Sequence, residues 1–582
     1  MQMSTRRAGL EIYFSTESAG SSADLSKIVR AMSSPSSRQP SSSPRPDDRV
    51  ASERDATFAP ASDEAASNGD ARDLRRGALV NLVGYGARAF HPVLLAWVTV
   101  TYGPERWGVF VASHAALWVA LRFAVLGLDH ALPWWIPQHR DAPVPGVYAA
   151  LRQVALRSLA IASVLAALAA PVLGPAWDMP ALPIAVLALC LVPMALTETL
   201  VQATVARRRL ELQVGVREVL VPAVHAFVAL GLHAFGLVEL GLALGFLVAS
   251  TAGLVVAALG FRRVFPRGAL AHDAGLELPS ALRRYATPLF GAGLATTFMA
   301  RADTLAVAFF ADPFSVGVYG VVKQFASTVL SIRGSFESIV TAIVSDAALG
   351  GRRIDAARSR LARGLSYATT LVTLTQLPVV VFFVAFAGWL LPLFGEGFER
   401  GEHAVAIACG LLAVHGLVGL AGQVVNGVGG SRATLVASAV AVALQSALLL
   451  WLVPRFGIEG AAAASGLALV GHAAVQLVQM RALTGGWNYT PRVALAGVLG
   501  GVAIVAMTLT SFALHDVGDA VARASGFVVF AAVLAVGAVP LLRSTPAYAP
   551  AGSVAMRGDS AWRSPSAARE ADGSGVSEEV RS

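Results

Sequence analysis

Several ionisable residues lie inside stretches of this chain that are otherwise Leu, Val, Ala, Ile and Phe. Arg88, Arg122, Arg301, Lys323 and Arg333 are cationic there, and Glu198, Asp303 and Glu337 are anionic. A charge in an apolar stretch costs kilocalories, so it is retained where it meets a wet cavity, a partner or a bound ion. Cations outnumber carboxylates, and a pocket assembled from these faces would attract an anion. Guanidinium forks grip a phosphate bidentately, whereas the ammonium of Lys323 acts as a movable point charge. Glu198, in "LTETLVQ", is suited to carry a coupling proton or sodium ion, or equally to pair with an arginine. His91, His114, His225, His415 and His472 form no H-E-x-x-H pattern and no cluster with carboxylates, so helix packing is their expected role. No metal or cofactor is expected.

Helical spacing decides which of these groups share a face. Asn81, Gly84, Tyr85, Arg88, His91 and Pro92 recur at steps of three and four, which predicts one polar stripe with Arg88 at its middle. His114, Trp118, Arg122 and Asp129 fall on a second face, where Arg122 could also snorkel towards the membrane surface. Tyr319, Lys323, Ser327, Gly334, Glu337 and Thr341 share a third stripe, bordered by Arg333. Arg301 aligns with Thr297 and Thr304, while Asp303 points to the far side of the same helix and needs a partner from elsewhere. Arg333 and Glu337, four residues apart, also suit an intrahelical ion pair. The expected substrate-binding set is therefore Arg88, Arg122, Arg301, Lys323 and Arg333, with Asn81, Tyr85, His114, Tyr319 and Glu337 as further cavity-lining candidates and Glu198 as the candidate for ion coupling.

The elements that must hold these groups are membrane helices. The chain has 582 residues, of which 55% are hydrophobic and 14% charged, with a mean hydropathy of +0.62, too apolar for a soluble protein of this size. The net charge of +8 sits in arginine clusters between apolar runs, where it would face lipid headgroups rather than nucleic acid. Cys190 and Cys409 lie inside apolar runs and are read as small packing residues.

A hydrocarbon core needs about 20 apolar residues per helix, and the interval from Gly77 to Leu542 divides into roughly fourteen such runs. Basic loops such as "DLRRG", "ARRRLELQVGVRE" and "GRRIDAARSRLARG" alternate with loops poor in arginine such as "GPAWDMP", "ADPFSVG" and "LHDVGD". That alternation places the basic loops and both termini in the cytoplasm and "FGEGFERGE" outside. The pattern Pro-x-x-x-Gly-Val-aromatic occurs at Pro104, Gly108, Val109 and Phe110, and again at Pro313, Gly317, Val318 and Tyr319. "HAFGLVELGLALG" is echoed by "PRFGIEGAAAASG" later. Two parallel six-helix units with a cavity between them, plus two extra helices, account for this order. The expected organisation is a disordered tail over 1–70, a six-helix lobe over 75–262, an inter-lobe loop over 263–284, a second lobe over 285–484, two more helices over 490–543 and a disordered tail over 544–582.

The stretch "LLPLFGEGFERGEHAVAIACGLLAVHGLVGLAGQVVNGVGGSRATLVASAVAVALQSALLLWLVPRFGIEGAAAASGLALVG" and the two Pro-x-x-x-Gly-Val hairpins resemble the polysaccharide-unit flippases, within the multidrug/oligosaccharidyl-lipid/polysaccharide exporter superfamily. The resemblance runs from about Arg75 to Leu542. It implies an all-α, V-shaped pair of lobes in the inner membrane, which moves polyprenyl-pyrophosphate-linked oligosaccharides by alternating access around the cationic cavity. It also admits glycosyltransferases or a polysaccharide polymerase of the same pathway as partners, beside the lipids of the membrane. A drug/cation antiporter of the same superfamily would want an acidic pocket instead. A membrane-embedded polysaccharide-assembly enzyme would want catalytic groups on a sizeable external loop, and every external loop here is short.

Overall fold

The computed structural model describes residues 61–139, 143–207, 209–266, 268–271, 277–349, 354–418, 420–427, 431–486 and 489–543; side chains are described from Phe90 on, except at 338–339, 341–361, 427 and 431. The sequence-level expectation of disordered tails over 1–70 and 544–582 falls outside these residues, apart from the helical backbone that begins at Ala61. Helices dominate, and among the described residues no β-strand forms; Val144 and Leu270 make a single isolated bridge.

In chain order the principal helices are α1 (Ala61–Val125), α2 (Leu128–Trp135), α3 (Val147–Leu168), α4 (Ala181–Leu189), α5 (Leu191–Val205), α6 (Val221–Ala234) and α7 (Val238–Val264). They are followed by α8 (Ser280–Phe310), α9 (Pro313–Leu349), α10 (Ile354–Leu390), α11 (Glu402–Val418), α12 (Ala421–Gly427), α13 (Ser431–Thr484), α14 (Pro491–Ala513) and α15 (Asp519–Arg543). Among the described residues, ten helical stretches are long and apolar enough to cross a membrane. Two of the ten contain a break: α1 is interrupted at Gly103 and α13 at Gly457, glycines with φ of 76° and 52° that a side chain would oppose. Many large apolar side chains, among them Phe227, Leu450 and Val498, are more than half exposed. In water that surface would drive aggregation; against acyl chains it needs no cover.

Two large apolar clusters organise the helices. One joins residues from Val98 to Ala286 and includes Tyr102, Leu128, Leu191 and Phe246. The other joins Ala302 to Ala464, including Val322, Phe398 and Leu412, and takes in Val109 and Ala112 from α1. Helices α14 and α15 attach to α10 through Val381, Ala503, Phe530 and Leu534.

The two Pro-x-x-x-Gly hairpins meet each other reciprocally. A Cβ at Gly108 would collide with the Pro313 carbonyl, and a Cβ at Gly317 would collide with the Pro104 carbonyl. Each glycine thus lets the partner hairpin's backbone approach to contact, which any larger residue would forbid. One step further along, Gly320 packs on Trp107 and Val111. The turn at Gly103 and the turn between α8 and α9 are therefore locked together at one end of the helices.

Candidate functional site: a cavity bounded by α1, α5, α8 and α9

Beyond that contact the second part of α1 and the first part of α9 diverge, and both line a cavity of about 500 Å³. The α1 wall carries Trp107, Phe110, His114 and Trp118, and the opposite wall carries Arg301 and Thr304 from α8 with Lys323, Gln324 and Ser327 from α9. Glu198 from α5, Arg217 and His225 complete it. The cavity reaches the end where Gly108 and Gly317 meet, because Trp107 and Gly320 lie next to that contact and also belong to the lining.

An aromatic and imidazole cluster shapes one wall. Phe110 stacks on His114 with ring centroids 5.4 Å apart, Phe246 packs edge-on against both, and His225 packs on Phe110 and Phe246. Trp118 Nε1 donates to His114 Nε2 at 3.1 Å, so that nitrogen is the acceptor and the ring proton belongs on Nδ1. Trp118 in turn lies between two cations, with the Arg301 guanidinium 5.5 Å and the Arg217 guanidinium 6.0 Å from its ring. A flat indole face stabilises both electrostatically without neutralising either. Among the described residues no carboxylate comes within ion-pair distance of Arg301, whereas Arg217 stands beside Glu198.

Arg217 comes from a π-helical turn, Gly215–Leu220, just before α6. Such wide turns recur at functional sites because they rotate side chains off the ordinary helical face. Its Nη1 stands 3.6 Å from Glu198 Oε1, beyond good hydrogen-bond distance, and Glu198 accepts a bond from Gln202 at 3.2 Å. The arginine-rich stretch "ARRRLELQVGVRE" reads as a loop in the sequence, which hides Arg217 among its neighbours. Stepping back from His225 in fours reaches Val221 and then Arg217, which is the periodic signal that identifies it.

Lys323 reaches across to α8, where its Nζ donates to the Ala300 carbonyl and to Asp303 Oδ1, each at 2.6 Å. The other carboxylate oxygen of Asp303 accepts from Tyr319 at 2.8 Å and from Ser465 at 3.0 Å, and the Thr304 amide donates to Oδ1 at 2.7 Å. Asp303, only 3% exposed, thus finds the external partner that its position on α8 required. Tyr319, expected on a wet stripe, is instead buried at this junction and does not line the cavity. Lys323 remains on the lining, paired behind and open in front.

The remaining sequence-level candidates lie elsewhere. Arg122 and Asp129 form an ion pair of 2.7 Å with both side chains nearly buried, away from the cavity lining. The helix break at Leu126 and Gly127, both at positive φ, turns α2 back so that Asp129 meets Arg122. Arg122 therefore neither snorkels nor faces the cavity. Arg333 and Glu337 approach to 3.1 Å within α9, the i, i+4 pairing, and are likewise outside the lining. Asn81, Tyr85 and Arg88 have side chains outside the described residues, whereas His91, on the same predicted stripe, lines the cavity. The structure thus brings together His114, Glu198, Arg301 and Lys323, and adds Arg217. Among the described residues no group of three or more His, Cys, Asp or Glu could hold a metal ion.

Three cations therefore face one carboxylate across the described lining, with Asp303 behind Lys323. This arrangement can receive an anion between Arg217, Arg301 and Lys323 and offers an aromatic wall beside it.

No curated protein sequence matches the chain. Its fold resembles a solved structure of the lipid II flippase MurJ in an inward closed conformation, with a TM-score of 0.65 at 10% identity, covering 80% of this chain and 99% of that one. It also resembles an inward-facing multidrug resistance MATE family transporter of the MOP superfamily, with a TM-score of 0.51 at 14% identity, covering 68% and 95%. At these identities the likeness is one of fold. The sequence pattern of the family described as polysaccharide biosynthesis protein matches residues 103–399, half of the chain and most of the cavity lining. On that match the chain belongs to the polysaccharide biosynthesis protein family.

Proposed function

We propose that this protein flips polyprenyl-pyrophosphate-linked oligosaccharides across the inner membrane, by alternating access around the cavity that holds Arg217, Arg301 and Lys323. The observation that carries the reading is the charge of the lining: three cations against one carboxylate, in a protein of a polysaccharide biosynthesis family. A pyrophosphate needs several donors at once, and guanidinium groups near an indole face keep their charge, Arg217 sharing it with Glu198 at 3.6 Å. A cationic drug entering the same cavity would meet the like charges of Arg217, Arg301 and Lys323. The chemistry required is translocation rather than bond making, and a lining of cations and aromatics suits the holding of an anionic headgroup.

In this reading the Gly108–Gly317 end faces the periplasm and both chain termini face the cytoplasm, which follows the positive-inside distribution of arginine. The substrate headgroup enters from the cytoplasmic side, and the glycosyltransferases and polymerase of the same pathway act before and after it. Arg88 joins the cationic set from α1, and Glu198 carries the coupling ion. The deciding experiment is reconstitution into liposomes with lipid-linked oligosaccharides, with translocation followed by accessibility of the sugar to an external probe. Failure to move any such lipid, together with transport of a lipophilic cation, would assign the cavity to drug export instead.

A further inference from the structure

A second cavity, of about 420 Å³, opens where α10, the start of α14 and the end of α15 come together. It shares no residue with the central cavity. Arg363, Ser366, Tyr367 and Thr370 supply one wall, spaced at i, i+3, i+4 and i+7 and hence on one face of α10. Thr490, Arg492 and Leu495 around the first turn of α14 also line it, with Leu541 from α15.

Two of the lining residues carry buried hydroxyls without a hydrogen-bond partner. Thr370 is only 2% exposed, yet its Oγ1 has no hydrogen-bond partner, and the same is true of the buried Oγ1 of Thr490. A helical threonine ordinarily returns its proton to a carbonyl one turn back, as Thr373 and Thr375 of the same helix do towards Thr369 and Leu371 at 2.9 and 2.7 Å. A buried hydroxyl left without a partner costs free energy, which a ligand that accepts from it removes. Thr490 also sits at the N-cap of a 23-residue helix without using its side chain as a cap, so the positive end of that helix faces the same space. Arg363 adds a guanidinium group, Arg492 stands on the facing helix, and among the described residues no carboxylate lines the cavity.

The ligand that fits is an oxyanion with an apolar continuation. Beside the donors the lining is Tyr367, Leu495 and Leu541, and the outer face of α14 continues with the exposed side chains of Leu495, Val498 and Val502, one stripe at helical spacing. A free phosphate uses the donors but leaves this stripe unused. We propose that the cavity binds the phosphate of an anionic membrane phospholipid, with acyl chains along α14. The site would make the seating of α14 and α15 on α10 dependent on lipid charge, and it is independent of what the central cavity carries.

The test uses the full-length protein, delipidated in detergent, with binding followed by intact-complex mass spectrometry and thermal unfolding. Phosphatidylglycerol should bind and raise the unfolding temperature where phosphatidylcholine does not. Thr370→Val combined with Arg363→Gln should weaken phosphatidylglycerol binding by about tenfold or more, whereas Thr370→Ser, which keeps the hydroxyl, should bind as the parent does. Equal phosphatidylglycerol binding by the parent and the double variant would overturn the site. Stabilisation by inorganic phosphate equal to that by phosphatidylglycerol would overturn the lipid assignment. If the double variant does not fold, loss of binding in Arg363→Gln alone, with Thr370→Ser unaffected, supports the site, and retention of binding in Arg363→Gln overturns the part given to the guanidinium.

Discussion

Lys323 on α9 and Asp303 on α8 form an ion pair of 2.6 Å in which the carboxylate is buried and the ammonium still reaches the cavity. The pair joins two helices, and Ser465 ties it to α13 as well. The two partners therefore differ in what they do: Asp303 is a structural node, and Lys323 is both its counter-charge and a surface of the site.

Lys323→Gln leaves Asp303 charged with only neutral donors, and stranding a buried charge costs about 3 kcal/mol or more. Reduced membrane accumulation and a lower unfolding temperature are expected. Adding Asp303→Asn should restore both, because the removed charges were each other's compensation. Transport should stay impaired in the double variant, since the cation facing the cavity is still missing. Full transport by the double variant would make Lys323 a purely structural residue.

Glu198 is the carboxylate that faces the three cations, 3.6 Å from Arg217. Neutralising it should leave headgroup binding intact, while the dependence of transport on the proton or sodium gradient is lost if Glu198 carries the coupling ion. Liposomes with imposed gradients measure this directly. Unchanged gradient dependence in Glu198→Gln would leave Glu198 as the resting counter-charge of Arg217 alone.

Trp118 offers a different test because it bears no charge. Replacing it with Leu removes the ring that lies 5.5 Å from Arg301 and 6.0 Å from Arg217, and removes the donor to His114. Each exposed cation–π contact is worth about 0.5–1 kcal/mol. A loss of several-fold in transport is expected, with Trp118→Phe recovering part of it. Equal activity of Trp118→Leu and the parent would mean that the guanidinium groups are positioned without the ring.

These residues also mark how far the sequence could be read. Helices were legible because a bilayer demands long apolar runs, and that demand is written in composition; Arg333 with Glu337 was legible because i, i+4 pairing is local. The breaks were harder. Leu126 adopts a positive φ despite its side chain, so nothing in the spacing announces that Asp129 turns back onto Arg122. Arg217 escaped for a related reason: a π-turn keeps it in the helix, while its arginine-rich neighbours suggest a loop. Partnerships across helices, such as Lys323 with Asp303 and Ser465, depend on the packing of distant segments, and helical periodicity places a residue on a face without saying what the face meets.

The reciprocal contact of Gly108 with Pro313 and Gly317 with Pro104 yields the last prediction. Backbone touches backbone there, so no side-chain rotation can make room, and the first added carbon must separate the hairpins. Because the contact adjoins the lining residues Trp107 and Gly320, separating the hairpins should expose the lining from that end. Ser327, which lines the cavity and is exposed, can carry a cysteine reporter, and the native Cys190 and Cys409 are buried enough to react slowly with a membrane-impermeant maleimide. In Ser327→Cys, reagent added from the Gly108 side should label slowly. Introducing Gly108→Val should accelerate that labelling by about tenfold or more, equivalent to a shift of roughly 1.4 kcal/mol in the closing equilibrium, and should stop transport by preventing closure. Gly317→Val, on the other half of the contact, should do the same, which guards against a local folding defect in either variant. If both variants accumulate normally and label as slowly as the parent, the glycines are close-packed without gating the cavity, and closure at that end must be sought in the aromatic layer of Trp107 and Phe110.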